Sequence, residues 1–131
     1  MFAKKKQPPI RSLIAHGTEI HGNLKFMDGL RIDGEVCGNV VAGTERPSIL
    51  VVSETASVTG EIHADHVIVN GRVTGPIHAR SLLEVQPKAR IDGDVHYKGL
   101  EMHLGAVIHG RLVAQLANEE KPTLKLAANN A

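Results

Sequence analysis

The sequence predicts an all-β, single-domain parallel β-helix with three short sides and about six coils, and three observations carry that prediction. The first is composition. Among 131 residues there is no Trp, one Tyr and two Phe, yet 42% are hydrophobic. Val, Ile, Leu and Ala must fill the core, and β-branched residues favour strands. Thirteen glycines argue against long helices. The second observation is period-2 alternation in short runs punctuated by Gly, which reads as strand throughout. The third is an internal repeat of about 15–18 residues, too short for a hairpin plus a helix and suited to one three-sided coil.

The repeat has two lines. The first is aliphatic-x-Gly-x-aliphatic: IHGNLKF from 20, VCGNVVA from 36, VTGEIHA from 58, VTGPIHA from 73, IDGDVHY from 91 and IHGRLVA from 108. These starts lie 16, 22, 15, 18 and 17 residues apart. Between them runs an alternating apolar pair: Leu30/Ile32, Leu50/Val52, Val67/Val69, Leu83/Val85 and Leu100/Met102. The long interval holds AGTERPS (42–48), a polar, Pro-bearing segment that reads as a loop insertion. Gly inside a strand costs entropy and packs nothing. Gly22, Gly34, Gly38, Gly60, Gly71, Gly75, Gly93 and Gly110 are therefore expected at coil corners, where a Cβ would clash or a positive φ is needed. They do not form a phosphate loop, because the Gly-Lys-Ser/Thr ending and a following helix are missing.

The domain organisation expected from this pattern is a basic flexible arm (1–13), a β-helical body (14–114) and a flexible tail (115–131). The arm carries Lys4, Lys5, Lys6 and Arg11 with no acid, whereas residues 12–117 hold nine Lys/Arg against twelve Asp/Glu. No apolar run approaches a membrane span, and no secretory signal is read at the start of the chain. Cys37 is the single cysteine and has no identifiable activating partner, which fits a reducing, cytoplasmic setting and an inert thiol.

A β-helix leaves two open ends with unpaired backbone groups, which natural proteins normally protect. No capping helix is legible here. The terminal coils carry Leu24 and Phe26 at one end and Ile108 and Leu112 at the other. End-on stacking into a filament is the expectation; tails folded over the ends, or a discrete dimer, is the competing reading. Met1 and Phe2 with Lys4, Lys5 and Lys6 join an apolar side chain to three cations, a combination that suits an anionic membrane surface. A solvated basic tail is the simpler alternative.

Chemistry is sparsely indicated. His63, His78 and His96 share one repeat position and, by strand alternation, face outward as a ladder. No converging second shell marks a zinc site. A left-handed β-helical trimeric enzyme, acyltransferase or zinc hydratase-like, would keep a strict six-residue apolar beat that this chain lacks. A monomeric β-helical binding module is the third class. The body is not basic and offers no aromatic stacking platform, so nucleic acid is not an expected partner. No catalysis and no cofactor are expected.

The start MFAKKK, the Pro-containing linker and the segments LRIDGEVCGNV, VIVNGRVTGPIHA and ARIDGDVHY together resemble the bactofilins. The resemblance covers residues 1–6 and about 14–114. It implies a bacterial cytoskeletal protein with a right-handed, three-sided β-helix that polymerises end to end, without nucleotide, into filaments lacking polarity. It also implies attachment to the inner membrane surface through Met1, Phe2 and Lys4, continued by Lys5 and Lys6. The implied partners are further copies of the chain and enzymes of peptidoglycan synthesis or remodelling, and the implied role is a scaffold that influences cell shape. Such proteins often carry a bulky aromatic near the polymer contact. This chain has AVIHGRL there, which leaves Ile108 and Leu112 as the expected contact.

Overall fold

A computed structural model describes residues 7–115, which contain fifteen β-strands and no helix. All strand pairs are parallel, and they build three faces around one apolar core. The first face stacks β2 (Glu19–His21), β5 (Glu35–Cys37), β8 (Ser57–Thr59), β10 (Arg72–Thr74), β12 (Arg90–Asp92) and β14 (Val107–His109). The second stacks β3 (Leu24–Phe26), β6 (Val40–Ala42), the first halves of β9 (Ile62–Val69), β11 (Ile77–Val85) and β13 (Val95–Met102), and then β15 (Leu112–Ala114). The third stacks β1 (Ile10–Ile14), β4 (Gly29–Ile32), β7 (Ile49–Val52) and the second halves of β9, β11 and β13. The result is a β-solenoid of about six turns, as the repeat predicts.

Ile10–Ile14 is a strand in register with β4, so the solenoid begins ahead of the boundary expected at position 14. Ile14 pairs with Ile32 and is buried, which explains why this segment is recruited from what reads as a linker.

Alternation sorts the side chains. Val36, Val58 and Val73 point inward from the first face, Ile62, Ile77 and Val95 from the second, and Leu50, Val67 and Leu83 from the third, all fully buried. One inward column runs Phe26, Ala42, Ala64, Ala79, Tyr97, Ala114. Middle positions take alanine because the opposing aliphatic columns already fill the narrow interior, whereas Phe26 and Tyr97 are half-buried near the ends.

The uneven repeat length has a structural cause at each interval. The corner between the first and second faces is invariant and holds Gly22, Gly38, Gly60, Gly75, Gly93 and Gly110 in one column. The next corner, between the second and third faces, absorbs insertions. One extra residue sits after Phe26, one forms a bulge between Ala79 and Leu82, and the Gly43–Ser48 loop adds five. The last corner, from third face to first, is either short (Asp33-Gly34, Asn70-Gly71) or two residues longer (15–18, 53–56, 86–89, 103–106). In the longer form the fourth residue's N–H returns to the first carbonyl, as from Ala56 to Ser53 at 3.0 Å. Short corners require Gly for a different reason: a Cβ on Gly71 would meet the carbonyl oxygens of Ser53 and Ala56 in the wide turn beside it.

The glycine column is governed by close approach as well as dihedral. Gly75 has φ +141°, and a Cβ there would be driven into the Gly60 carbonyl, which belongs to rigid backbone. Gly75→Ala is therefore expected to lower stability by about 2–4 kcal/mol, whereas Thr74→Ser on the exposed neighbour changes it by under about 0.5 kcal/mol. Thermal unfolding followed by circular dichroism checks this; equal midpoints for the two variants would refute the close-approach argument.

Candidate functional site

Among the described residues, each terminal strand has a neighbour on one edge only. At one end β1, β2 and β3 pair inward with β4, β5 and β6; at the other, β14 and β15 pair with β12 and β13, and Gly99–Met102 pairs with β11. Open parallel edges carry unpaired backbone donors and acceptors, and among the described residues these two ends are where strand pairing stops.

The expected contact residues all lie on these terminal strands. Leu24 and Phe26 sit in β3, and Ile108 in β14; all three are half-buried against the core. Leu112 in β15 is 47% exposed. Sequence reading missed other apolar groups at the ends: Ile10, Leu13 and Met27 at one, Met102 and Leu104 at the other. Leu104 is 97% exposed. It occupies the wide-turn position held by Glu54 and Pro87 in other coils, so an apolar residue at a turn tip was the available signal. Asp94 staples the last corner, accepting from the Arg111 backbone N–H and from its guanidinium, each at 2.9 Å. The Arg111 hydrogen bonds hold the Asp94 carboxyl below the ordinary aspartate range.

Met1, Phe2, Lys4, Lys5 and Lys6 lie outside the described residues. The chain beyond them is anchored. Arg11 Nε reaches the Asp28 carboxylate at 3.0 Å, and Arg46 of the inserted loop reaches the same oxygen at 3.2 Å. Buried Ser48 fixes the loop's far end, its N–H donating to Asp65 at 2.9 Å, while Arg80 holds the other Asp65 oxygen at 3.0 Å. The loop is thus bonded to the body at both ends.

His63, His78 and His96 occupy adjacent coils in direct register, with ring centroids 4.3 and 4.4 Å apart and planes within 7°. Glu61 contacts His63 Nε2 at 2.9 Å. Glu61, His63 and His78 offer donor atoms within 4.8 Å of one another. Parallel rings, however, run their nitrogen lone pairs side by side and do not converge them on one point. Protonation is resisted at the middle ring, His78. Desolvation, then His63 and His96, hold the His78 pKa below its ordinary 6.5, with Glu61 opposing. A depressed folded-state pKa contributes stability above pH 6.5 that is lost as pH falls through the folded value. Stability is accordingly expected to drop between pH 7.5 and about 5, with a shallower drop in His78→Gln. Unfolding midpoints across that range are the check; parallel pH profiles for the two proteins would contradict it.

A family model described as bactofilin, polymer-forming cytoskeletal, matches residues 12–113. The chain is 29% identical over 103 residues to bactofilin BacO of Myxococcus xanthus (strain DK1622), an alignment covering 72% of this chain and 82% of that protein. No solved structure matches it. The family match runs from within β1 to within β15, and the chain belongs to the bactofilin family of polymer-forming cytoskeletal proteins.

Proposed function

We propose that this protein is a non-catalytic scaffold that assembles end to end into nucleotide-independent filaments without polarity, lies against the inner face of the cytoplasmic membrane, and localises cell-wall or morphogenesis enzymes. The observation that carries the proposal is the pair of open ends. Each presents three unpaired strand edges, with Ile10, Leu13 and Met27 exposed at one and Met102, Leu104 and Leu112 at the other. Joining like ends pairs edges and removes apolar surface from water at about 25 cal/mol per Å². Each like-with-like contact is isologous, and alternating two such contacts extends without limit and has no direction.

Side faces contribute little to such contacts, because their strands are paired on both edges and alternate apolar-in with polar-out. Attachment is assigned to Phe2 and to Lys4, Lys5 and Lys6. Each Lys contributes about 1 kcal/mol near an anionic leaflet, marginal for one chain and strong for a polymer presenting many arms. Filament growth and membrane binding would then reinforce each other.

Electron microscopy of the purified full-length chain, with chelator and without nucleotide, is expected to show long thin filaments. Leu104→Glu combined with Leu112→Glu should abolish them, while Thr74→Glu on a middle coil leaves them intact. Uniform small particles from the unmodified chain would sink the filament assignment and favour a discrete trimer or monomer. Phe2→Glu is expected to reduce co-sedimentation with anionic liposomes by about tenfold or more; unchanged binding would remove the membrane assignment.

A further inference from the structure

A second cluster of titratable side chains lies on the outer third face, a different face from the histidine column, with Glu101 and His103 in the terminal coil. Glu84 in β11 and Glu101 in β13 are opposite each other in direct parallel register. His103 follows β13 at the start of the wide turn. Donor atoms of Glu84, Glu101 and His103 all lie within 4.8 Å of one another. His66 in β9 stands beside this group, its Nε2 3.6 Å from Glu84 Oε1. On the other carboxylate oxygen, His103 Nε2 is at 3.9 Å and Gln86 Nε2 donates at 2.8 Å.

We propose that Glu84, Glu101, His103 and His66 form a site for one divalent transition-metal cation of the zinc class, bridging three successive strands. The tautomer of His66 is the first argument. Its Nδ1 lies 3.3 Å from the Gln7 side-chain oxygen, and in the tautomer that donates there Nε2 presents a lone pair. Nε2 is buried, has no hydrogen-bond partner among the described residues, and faces a carboxylate oxygen at 3.6 Å. In that tautomer two acceptors confront each other, an arrangement that a cation between them satisfies.

A proton alone would satisfy His66 and Glu84. It would not account for Glu101 stacked on Glu84, a like-charge pair that opposes pairing, nor for a second imidazole beside them. A metal ion uses all four. Tetrahedral zinc, with bonds of about 2.0–2.2 Å to imidazole and carboxylate, places its donors about 3.3 Å apart, against the 4.8 Å within which the Glu84, Glu101 and His103 donors already lie. The Gln7 oxygen on Nδ1 and the Gln86 amide on Glu84 are the outer partners such ligands use. Two imidazoles among the donors select zinc, copper or nickel over magnesium or calcium. The parallel rings of His63 and His78 lack this convergence and provide an internal control.

The test is equilibrium dialysis of chelator-treated full-length protein against zinc chloride at pH 7.5, with metal content measured per chain. Visible absorption of the cobalt-substituted protein and thermal shift with zinc accompany it. One zinc per chain is expected for the unmodified protein and for the double variant His63→Gln/His78→Gln, with four-coordinate cobalt absorption in both. Glu84→Gln and His103→Gln, on the outer face, should keep the metal-free melting midpoint. Each should lose at least about tenfold in zinc affinity together with the zinc-induced thermal shift. No retained zinc, equal affinity in all variants, or loss confined to the His63/His78 variant would overturn the assignment.

Discussion

Backbone lies on backbone at the corner between the first and second faces, and the rest of the structure follows from that contact. Gly38, Gly60, Gly75, Gly93 and Gly110 each place their Cα over the carbonyl of the corner glycine in the adjoining coil, with no room for a Cβ. Because this corner never varies, every coil restarts in register. Gly75 donates its N–H to Asp92 and Gly93 donates to His109, carrying the alignment onward. Beside the glycines, the Asn23 side chain accepts from Asn39 N–H and the Asn39 side chain from Glu61 N–H, so the column is held on its outer side as well. Length variation is displaced to the other two corners, where a bulge, a five-residue loop and a wide turn are all tolerated.

A stack of identical coils is translationally incomplete. Middle strands are paired on both edges, but no coil can satisfy its own outer edge without another coil to lie on it. The core shows the same logic: Val36, Val58, Val73, Ile77 and Val95 are fully buried, while Phe26, Tyr97, Ile108 and Leu112 near the ends are only partly covered. Under the proposed end-to-end assembly, the driving force would be the same force that builds the domain, applied across a boundary between chains.

Outer faces carry whatever chemistry the protein has, because the interior is filled by aliphatic side chains. Parallel register brings equivalent residues of successive coils side by side. At His63, His78 and His96 this gives a stack of parallel rings whose middle member, His78, resists protonation. At Glu84 and Glu101 it gives paired carboxylates that call for a cation. Both arise from the stacking distance of neighbouring strands, about 4.8 Å, a spacing close enough for rings to stack and for donor atoms to share one ion.

Fold class, coil number, the glycine corners and the position of the inserted loop were legible in the sequence by itself, because each depends on short-range periodicity. The outward histidine ladder was legible for the same reason: strand alternation beside Ile62, Ile77 and Val95 determines it. Only the tertiary structure decided what depends on neighbours in the next coil. It separated the Gly75 type of corner from the Gly71 type, since one lies on a glycine carbonyl and the other on a wide turn. It drew Ile10–Ile14 into the solenoid, because burial of Ile14 against β4 is a contact no local pattern records. It exposed Leu104 at an end, and it gathered His66, Glu84, Glu101 and His103 from three strands whose spacing in the chain varies with corner length. Local alternation tells which way a side chain points; only the lengths of the intervening corners tell which side chains it meets.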